Sequence, residues 1–258
     1  MVKYLNAECY KAFRRKYVYI FAGISLALVA FFLFLIRVES RSVVDDVITM
    51  RVDVSSLIGI VIQGLSVGLY LLMIAADIVF SEQYKYNTLK NEVSFGLPRL
   101  RIYFGKLFAS FFVAVILCVV LVGGYLGMGY ILFPAGEGIG ESLHTLVLCM
   151  MVSLPLWMGG LGLFNMLQFF LKGSTAATIV YIMVLGVGSG FLDLMGVFLP
   201  AVKPVADLVR TVSLNTPFSL MTQQGPESVM GYAWILGMSW LGVSTLVGVI
   251  GFQKKEIN

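Results

Sequence analysis

Long apolar runs alternate with short polar segments along this chain, and within each run the apolar residues are continuous rather than alternating one by one. That pattern predicts bilayer-crossing helices, because a strand of a membrane barrel would show a period of two. Tyr17–Ile36 holds 20 residues without a charge, enough at about 1.5 Å per residue to cross a hydrocarbon core of about 30 Å. Five further stretches share this character, so six spans are expected, at about 17–36, 54–76, 102–133, 143–171, 175–199 and 230–252. The first run exceeds the apolar region of a secretory signal, about 7–15 residues, and Ile36-Arg37-Val38-Glu39 offers no small-residue cleavage site. Gly123, Gly124, Gly127 and Gly129 in the third run, and Pro155, Gly159, Gly160 and Gly162 in the fourth, allow a tilt, a kink or a close helix contact. The Gly-x-x-x-Gly pairs Gly64/Gly68, Gly123/Gly127 and Gly186/Gly190 are expected to pack within a bundle.

Composition agrees with the pattern. Hydrophobic residues make up 59% of the chain and charged ones 12%, against about 45–50% and about 25% in soluble domains. With six spans, 13 of the 18 Lys and Arg residues fall on one side, and Arg37, Arg41, Arg51, Lys203 and Arg210 fall on the other. The positive-inside rule then places both termini in the cytoplasm of a multi-pass cell-membrane protein. The net charge of +4 is explained by basic residues at span ends facing anionic lipid, and no nucleic-acid partner is expected.

Two polar elements interrupt this plan. Residues 1–16 place Leu5, Cys9, Ala12 and Phe13 on one helical face, with Lys3, Lys11, Arg14 and Arg15 largely elsewhere, as in a helix lying on the inner leaflet. In residues 79–93, Glu82, Lys85 and Leu89 follow at steps of three and four, with Tyr86 and Lys90 beside them, predicting a helix that projects past the membrane. Gly96 and Pro98 should end it, and Arg99, Arg101 and Lys106 open the next span.

Catalytic patterns are missing. No G-x-x-x-x-G-K-[ST] loop is present, so the chain lacks that device for holding ATP. His144 is the only histidine and is expected to hydrogen-bond at the outer interface. Cys9, Cys118 and Cys149 form no C-x-x-C pair and are read as reduced packing residues, with no metal site. Of the acids near spans, Asp77 is expected at the cytoplasmic interface beside Glu82, and Asp193 at the outer boundary of the fifth span. A membrane-embedded enzyme near Ser189 or Asp193, a scaffold and a secondary carrier are the rival readings.

The chain resembles the type-2 ABC exporter permeases. The resemblance is carried by a cytoplasmic acid after the second span, then a Thr, a Lys/Asn pair, a Ser-x-Gly-x-Pro-Arg turn and a Lys inside the third span: Glu82, Thr88, Lys90, Asn91, Ser94, Gly96, Pro98, Arg99 and Lys106. Glu8 and Lys11 in the N-terminal helix add to it, whereas Asn87 stands where a Gly usually precedes the Thr. The resemblance implies an all-α polytopic fold in a single transmembrane domain, 1–258, with an interfacial helix at 1–16, a coupling helix at 79–99 and re-entrant external helices within 200–229. It also implies a dimer with a second permease chain, identical or different, docking separate ABC ATPase subunits through Glu8, Lys11, Glu82, Lys85, Thr88, Lys90, Asn91, Pro98 and Arg99. This chain would need no cofactor of its own, since ATP and Mg would be bound by the partner ATPase. The cargo it implies is an amphipathic or antimicrobial peptide, a lipid or a drug-like molecule, which apolar spans rich in Phe, Met and Leu would suit.

Overall fold

A computed structural model describes residues 2–42, 52–85, 88–171, 174–187, 191, 195 and 198–254, and the regular elements among them are all helical. In chain order these are α1 (Val2–Phe13), α2 (Lys16–Ser42), α3 (Val54–Gly64), α4 (Gly68–Lys85), α5 (Thr88–Ser94), α6 (Arg99–Leu132), α7 (Ile139–Phe170) and α8 (Ser174–Ile182). Then come α9 (Lys203–Val212), α10 (Thr216–Gln224) and α11 (Pro226–Lys254). Five stretches are long and apolar enough to cross a bilayer: Lys16–Glu39, Val54–Phe80, Arg99–Leu132, Ile139–Phe170 and Pro226–Lys254. They match five of the six expected spans. The stretch expected at 175–199 is described as a shorter apolar helix, Ser174–Gly186, in which α8 continues as a π-helical turn over Met183–Val187. Ser189 and Asp193 lie outside the described residues.

α7 is the core of the bundle, with 61% of its apolar window buried, whereas the first span has 6% buried and packs along α6. Pro155 does not end α7. The interruption lies instead in span two, where α3 passes into α4 through a 3-10 turn at Leu65–Val67, between Gly64 and Gly68. Two side chains from neighbouring helices donate to backbone carbonyls there: the Trp157 indole to Leu65 at 3.2 Å and the Tyr181 hydroxyl to Leu69 at 2.9 Å. Irregular backbone at membrane depth persists where protein groups supply hydrogen bonds in this way.

The closest helix contact joins α7 and α11. A Cβ on Gly159 would stand 2.7 Å from the Gly237 carbonyl oxygen, and one on Gly237 would run into the Pro155 carbonyl. Of the Gly-x-x-x-Gly pairs, Gly64, Gly123 and Gly127 meet nothing within 4 Å, whereas Gly68 lies against Trp157 and Gly186 against Tyr70. Packing within the bundle is thus seen at Gly68 and Gly186, Gly190 lies outside the described residues, and a close backbone approach is made by Gly159 and Gly237, far apart in sequence but opposite each other in space.

At one end of the bundle, Asp53 caps α3 by accepting from the Ser56 amide at 2.8 Å, and the Val54 amide donates to the Pro134 carbonyl at 3.0 Å. The segment before the last span holds α9 and α10, where two short helices are expected; Pro217, Phe218 and Met221 of α10 are buried. At the other end, the basic one, aromatic rings tie four helices together. Phe169 of α7 lies 5.2 Å from Phe80 of α4, 4.9 Å from Tyr103 of α6 and 4.5 Å from Phe252 of α11, between ring centroids.

Gly237→Leu must push two backbones apart, so it should lower stability by at least about 1–3 kcal/mol, the usual cost of overpacking. Gly127→Leu, which meets open space, should leave the thermal transition of the purified protein in place. Equal shifts in the two variants would count against the α7–α11 contact.

Candidate docking site at the basic end

The basic end is built from α1, the end of α4, α5, the start of α6 and the end of α11. The expected apolar face of α1 is present, with Ala12 buried and Leu5, Cys9 and Phe13 packed on a cluster that includes Ile78, Val79, Phe80 and Ile102. At least part of this face is therefore covered by protein. α1 also approaches α6 closely, since a Cβ on Gly105 would fall onto the Tyr4 ring.

A chain of charges runs through this contact. Lys106, fully buried on α6, donates to Glu8 Oε2 at 3.0 Å, and Glu8 is itself only 3% exposed. Lys11 donates to the other Glu8 oxygen at 2.7 Å and lies 3.7 Å from Glu92 Oε1 on α5. The Tyr4 hydroxyl donates to Glu92 Oε2 at 2.9 Å. The Lys106 ammonium also stands 5.6 Å from the centroid of Phe80, the ring that meets Phe169. Arg15, in the turn after α1, donates to the Ile78 carbonyl of α4. Through these groups α1 and α5 are fixed to the bundle.

Burial pushes the Glu8 carboxyl up, but the Lys106 charge and the hydrogen bonds from Lys11 and Lys106 outweigh it and hold the carboxyl below its ordinary value. Burial lowers Lys11, and its bond to Glu8 with the charges of Glu8 and Glu92 more than reverses this. For Tyr4, burial first and then the charges of Glu8 and Glu92 raise the phenol. All three shifts favour the bonded forms.

α5 ends where expected, in a Schellman motif. The Leu97 amide donates to Glu92 at 3.2 Å, the Gly96 amide to Val93 at 3.0 Å, and Gly96 takes the left-handed φ of 81° that suits glycine. Pro98 then caps α6. This turn projects Phe95, which is 87% exposed, beside exposed Lys90, Asn91, Ser94 and Pro98.

The expected docking residues are thus divided. Lys90, Asn91 and Pro98 lie on the outer face, Lys11 is exposed, and Thr88 is half-buried. Glu8 faces inward. Arg99 donates to the Phe252 and Gln253 carbonyls at 2.8 and 2.6 Å, stacks 5.7 Å from the Phe252 ring, and so caps α11. Glu82 and Lys85 belong to α4, but their side chains lie outside the described residues, as do Tyr86 and Asn87. The helix expected over 79–93 is represented by the end of α4 and by α5. Asp77 joins a different group: it accepts from Ser174, which accepts from Gln168 at 3.2 Å. Tyr4, Glu92 and Phe95 join the expected residues here; in the sequence, the spacing of Tyr4, Glu8 and Lys11 along one helical face is the available signal.

Compared with known proteins, residues 4–200 match the family model described as "ABC-2 family transporter protein". No curated protein matches the chain.

Breaking a buried ion pair costs about 3–5 kcal/mol because the remaining charge has no partner. Lys106→Met should therefore strip hydrogen-exchange protection from residues 2–13, and adding Glu8→Leu should recover part of it; additive losses would contradict the pairing.

The same protection should respond to acid. A carboxyl lowered on folding contributes its full stabilisation above its ordinary pKa, about 4.3, and loses it as pH falls through the lower folded value. Raised Lys11 contributes below its ordinary pKa, about 10.4, and loses this only above it. Protection of α1 should fall as pH drops below about 4.3; protection that persists well below that value would contradict the assignment.

Proposed function

The chain belongs to the ABC-2 transporter family, and on that premise we propose that it is the membrane-spanning permease subunit of an ATP-driven exporter, docking a separate ATPase at its basic end. The observation that carries this reading is Phe95: a nearly fully exposed aromatic ring at the tip of a short helix, flanked by Lys90 and Asn91, on a base braced by buried charges. An aromatic anchor surrounded by polar groups is the usual core of a protein contact. The sequence has no phosphate loop of its own, so ATP and Mg2+ are held by the partner, and ATP binding there shifts the bundle between its access states.

In this reading residues 1–258 form one transmembrane domain, and a sixth crossing at about 175–199 puts both termini in the cytoplasm of a cell-membrane protein. Glu82, Lys85, Thr88, Lys90, Asn91 and Pro98 contribute to the docking face, with Lys11 at its edge. Glu8 and Arg99 hold that face in place from within. α1 borders the inner leaflet, and α9 and α10 form a half-inserted cap on the outer side. A second permease chain pairs with this one, which suits the exposed apolar flank of the first span. The cargo is amphipathic: a peptide, a lipid or a drug-like molecule.

Affinity purification of the chain from its native membrane should bring down a phosphate-loop ATPase. Phe95→Ala should weaken binding of that subunit about thirtyfold, a hot-spot loss of about 2 kcal/mol, and Lys90→Glu should weaken it further. Undiminished recovery and ATP hydrolysis in the double variant would refute docking at this face.

A further inference from the structure

A cavity of about 850 Å3 lies at the interruption of span two, walled by α3, α4, α7, α10 and the start of α11. Its polar lining includes Gln63, Ser66, Tyr70, Thr145, Ser219 and Thr222, and Ile62, Phe218 and Met221 supply apolar wall. Among the described residues, the 14 that line it include no Asp, Glu, Lys, Arg or His. Ser66 sits roughly 18 Å along the axis from Val54, at about 1.5 Å per residue, so the cavity reaches well into the bilayer from the end opposite the charge cluster.

The two kinds of lining have different origins. Tightening to a 3-10 turn at Leu65–Val67 changes the angular spacing of side chains along the helix, and Gln63, Ser66 and Tyr70 all border the cavity at this point. α10 lays Phe218, Ser219, Met221 and Thr222 across from them. Neutral hydrogen-bonding groups beside an apolar wall favour a ligand that has both. A charged head group would shed part of its hydration against the apolar wall and meet no opposite charge among the described lining residues.

We propose that this cavity is a binding site for an uncharged amphiphile, with its hydroxyl-bearing head group on Gln63, Ser66 and Thr145 and its hydrocarbon on Ile62, Phe218 and Met221. A neutral membrane glycolipid and a soluble alkyl glycoside share this chemistry. The site does not depend on the permease reading, because occupancy needs neither an ATPase nor transport.

The test is photolabelling of the purified full chain in nanodiscs with three diazirine probes: a galactosyl diacylglycerol, a phosphatidylglycerol with the same acyl chains, and an octyl glucoside added from solution. The galactolipid, the glucoside or both should label peptides spanning 59–70 and 215–226 about tenfold more than the anionic lipid, the ratio that 1.4 kcal/mol supplies. Labelling by the lipid alone assigns entry from the bilayer, and labelling by the glucoside alone assigns entry from water. Ser66→Trp, which puts a bulky ring in place of a hydroxyl at the head-group position, should sharply reduce it. Gln63→Lys, at an exposed position, should reverse the preference towards phosphatidylglycerol, and it decides the matter if Ser66→Trp does not fold. Equal labelling by neutral and anionic probes, labelling confined to other helices, or a preference unchanged in Gln63→Lys would overturn the proposal, while co-purification with an ATPase would still stand or fall separately.

Discussion

A lysine ammonium seven residues into a membrane-spanning helix must find a negative partner or give up its charge, and the partner here is Glu8. Much of the basic end follows from that constraint. Only a helix lying against α6 can deliver the carboxylate, so α1 approaches closely enough to need glycine at position 105. Glu8 has a second oxygen, which Lys11 takes, and Lys11 in turn reaches Glu92 on α5. A single buried charge thus organises two short helices that have little core of their own. Replacing such a pair with apolar groups is often neutral or stabilising, so its value here is positional: it sets where α1 and α5 stand.

The pair also connects to the spans. Lys106 lies over Phe80, Phe80 meets Phe169, and Phe169 meets Tyr103 and Phe252. Arg99 binds the last carbonyls of α11 from the same side. α11 in turn is locked to α7 by the Gly159 and Gly237 contact. A displacement of α5 therefore has a packed route into α7 and α11, and these helices also border the cavity at the far end. The interruption of span two, with its carbonyls held by Trp157 and Tyr181, is the one irregular joint described along that span.

Local signals in the sequence carried much of this. Continuous apolar runs located five long spans, Gly96 and Pro98 marked the turn after α5, and the spacing of Leu5, Cys9, Ala12 and Phe13 gave the packed face of α1. What failed to show was pairing over distance. Glu8 and Lys106 are 98 residues apart, and each looks like an ordinary charge until α1 folds back onto α6. Gly64, Gly123 and Gly127 fit a packing motif yet meet nothing within 4 Å, whereas Gly159, in a run where a close helix contact is expected, meets Gly237, a partner that no local pattern identifies. Arg99, expected on the docking face, is turned to α11 because unsatisfied carbonyls at a helix end compete for a cation. The exposure of Phe95 depends on Gly96 turning the chain, so its residue type alone gave no warning.

The central claim is that the tip of α5 meets an ATPase. Its most direct measurement places a photoreactive phenylalanine analogue at Phe95 of the full chain in its native membrane and identifies the crosslinked product by mass spectrometry. The account predicts an adduct with a phosphate-loop ATPase, diminished when Lys106→Met releases α1 and α5 from the bundle. Adducts with lipid alone, or with a protein lacking a nucleotide site, would contradict it.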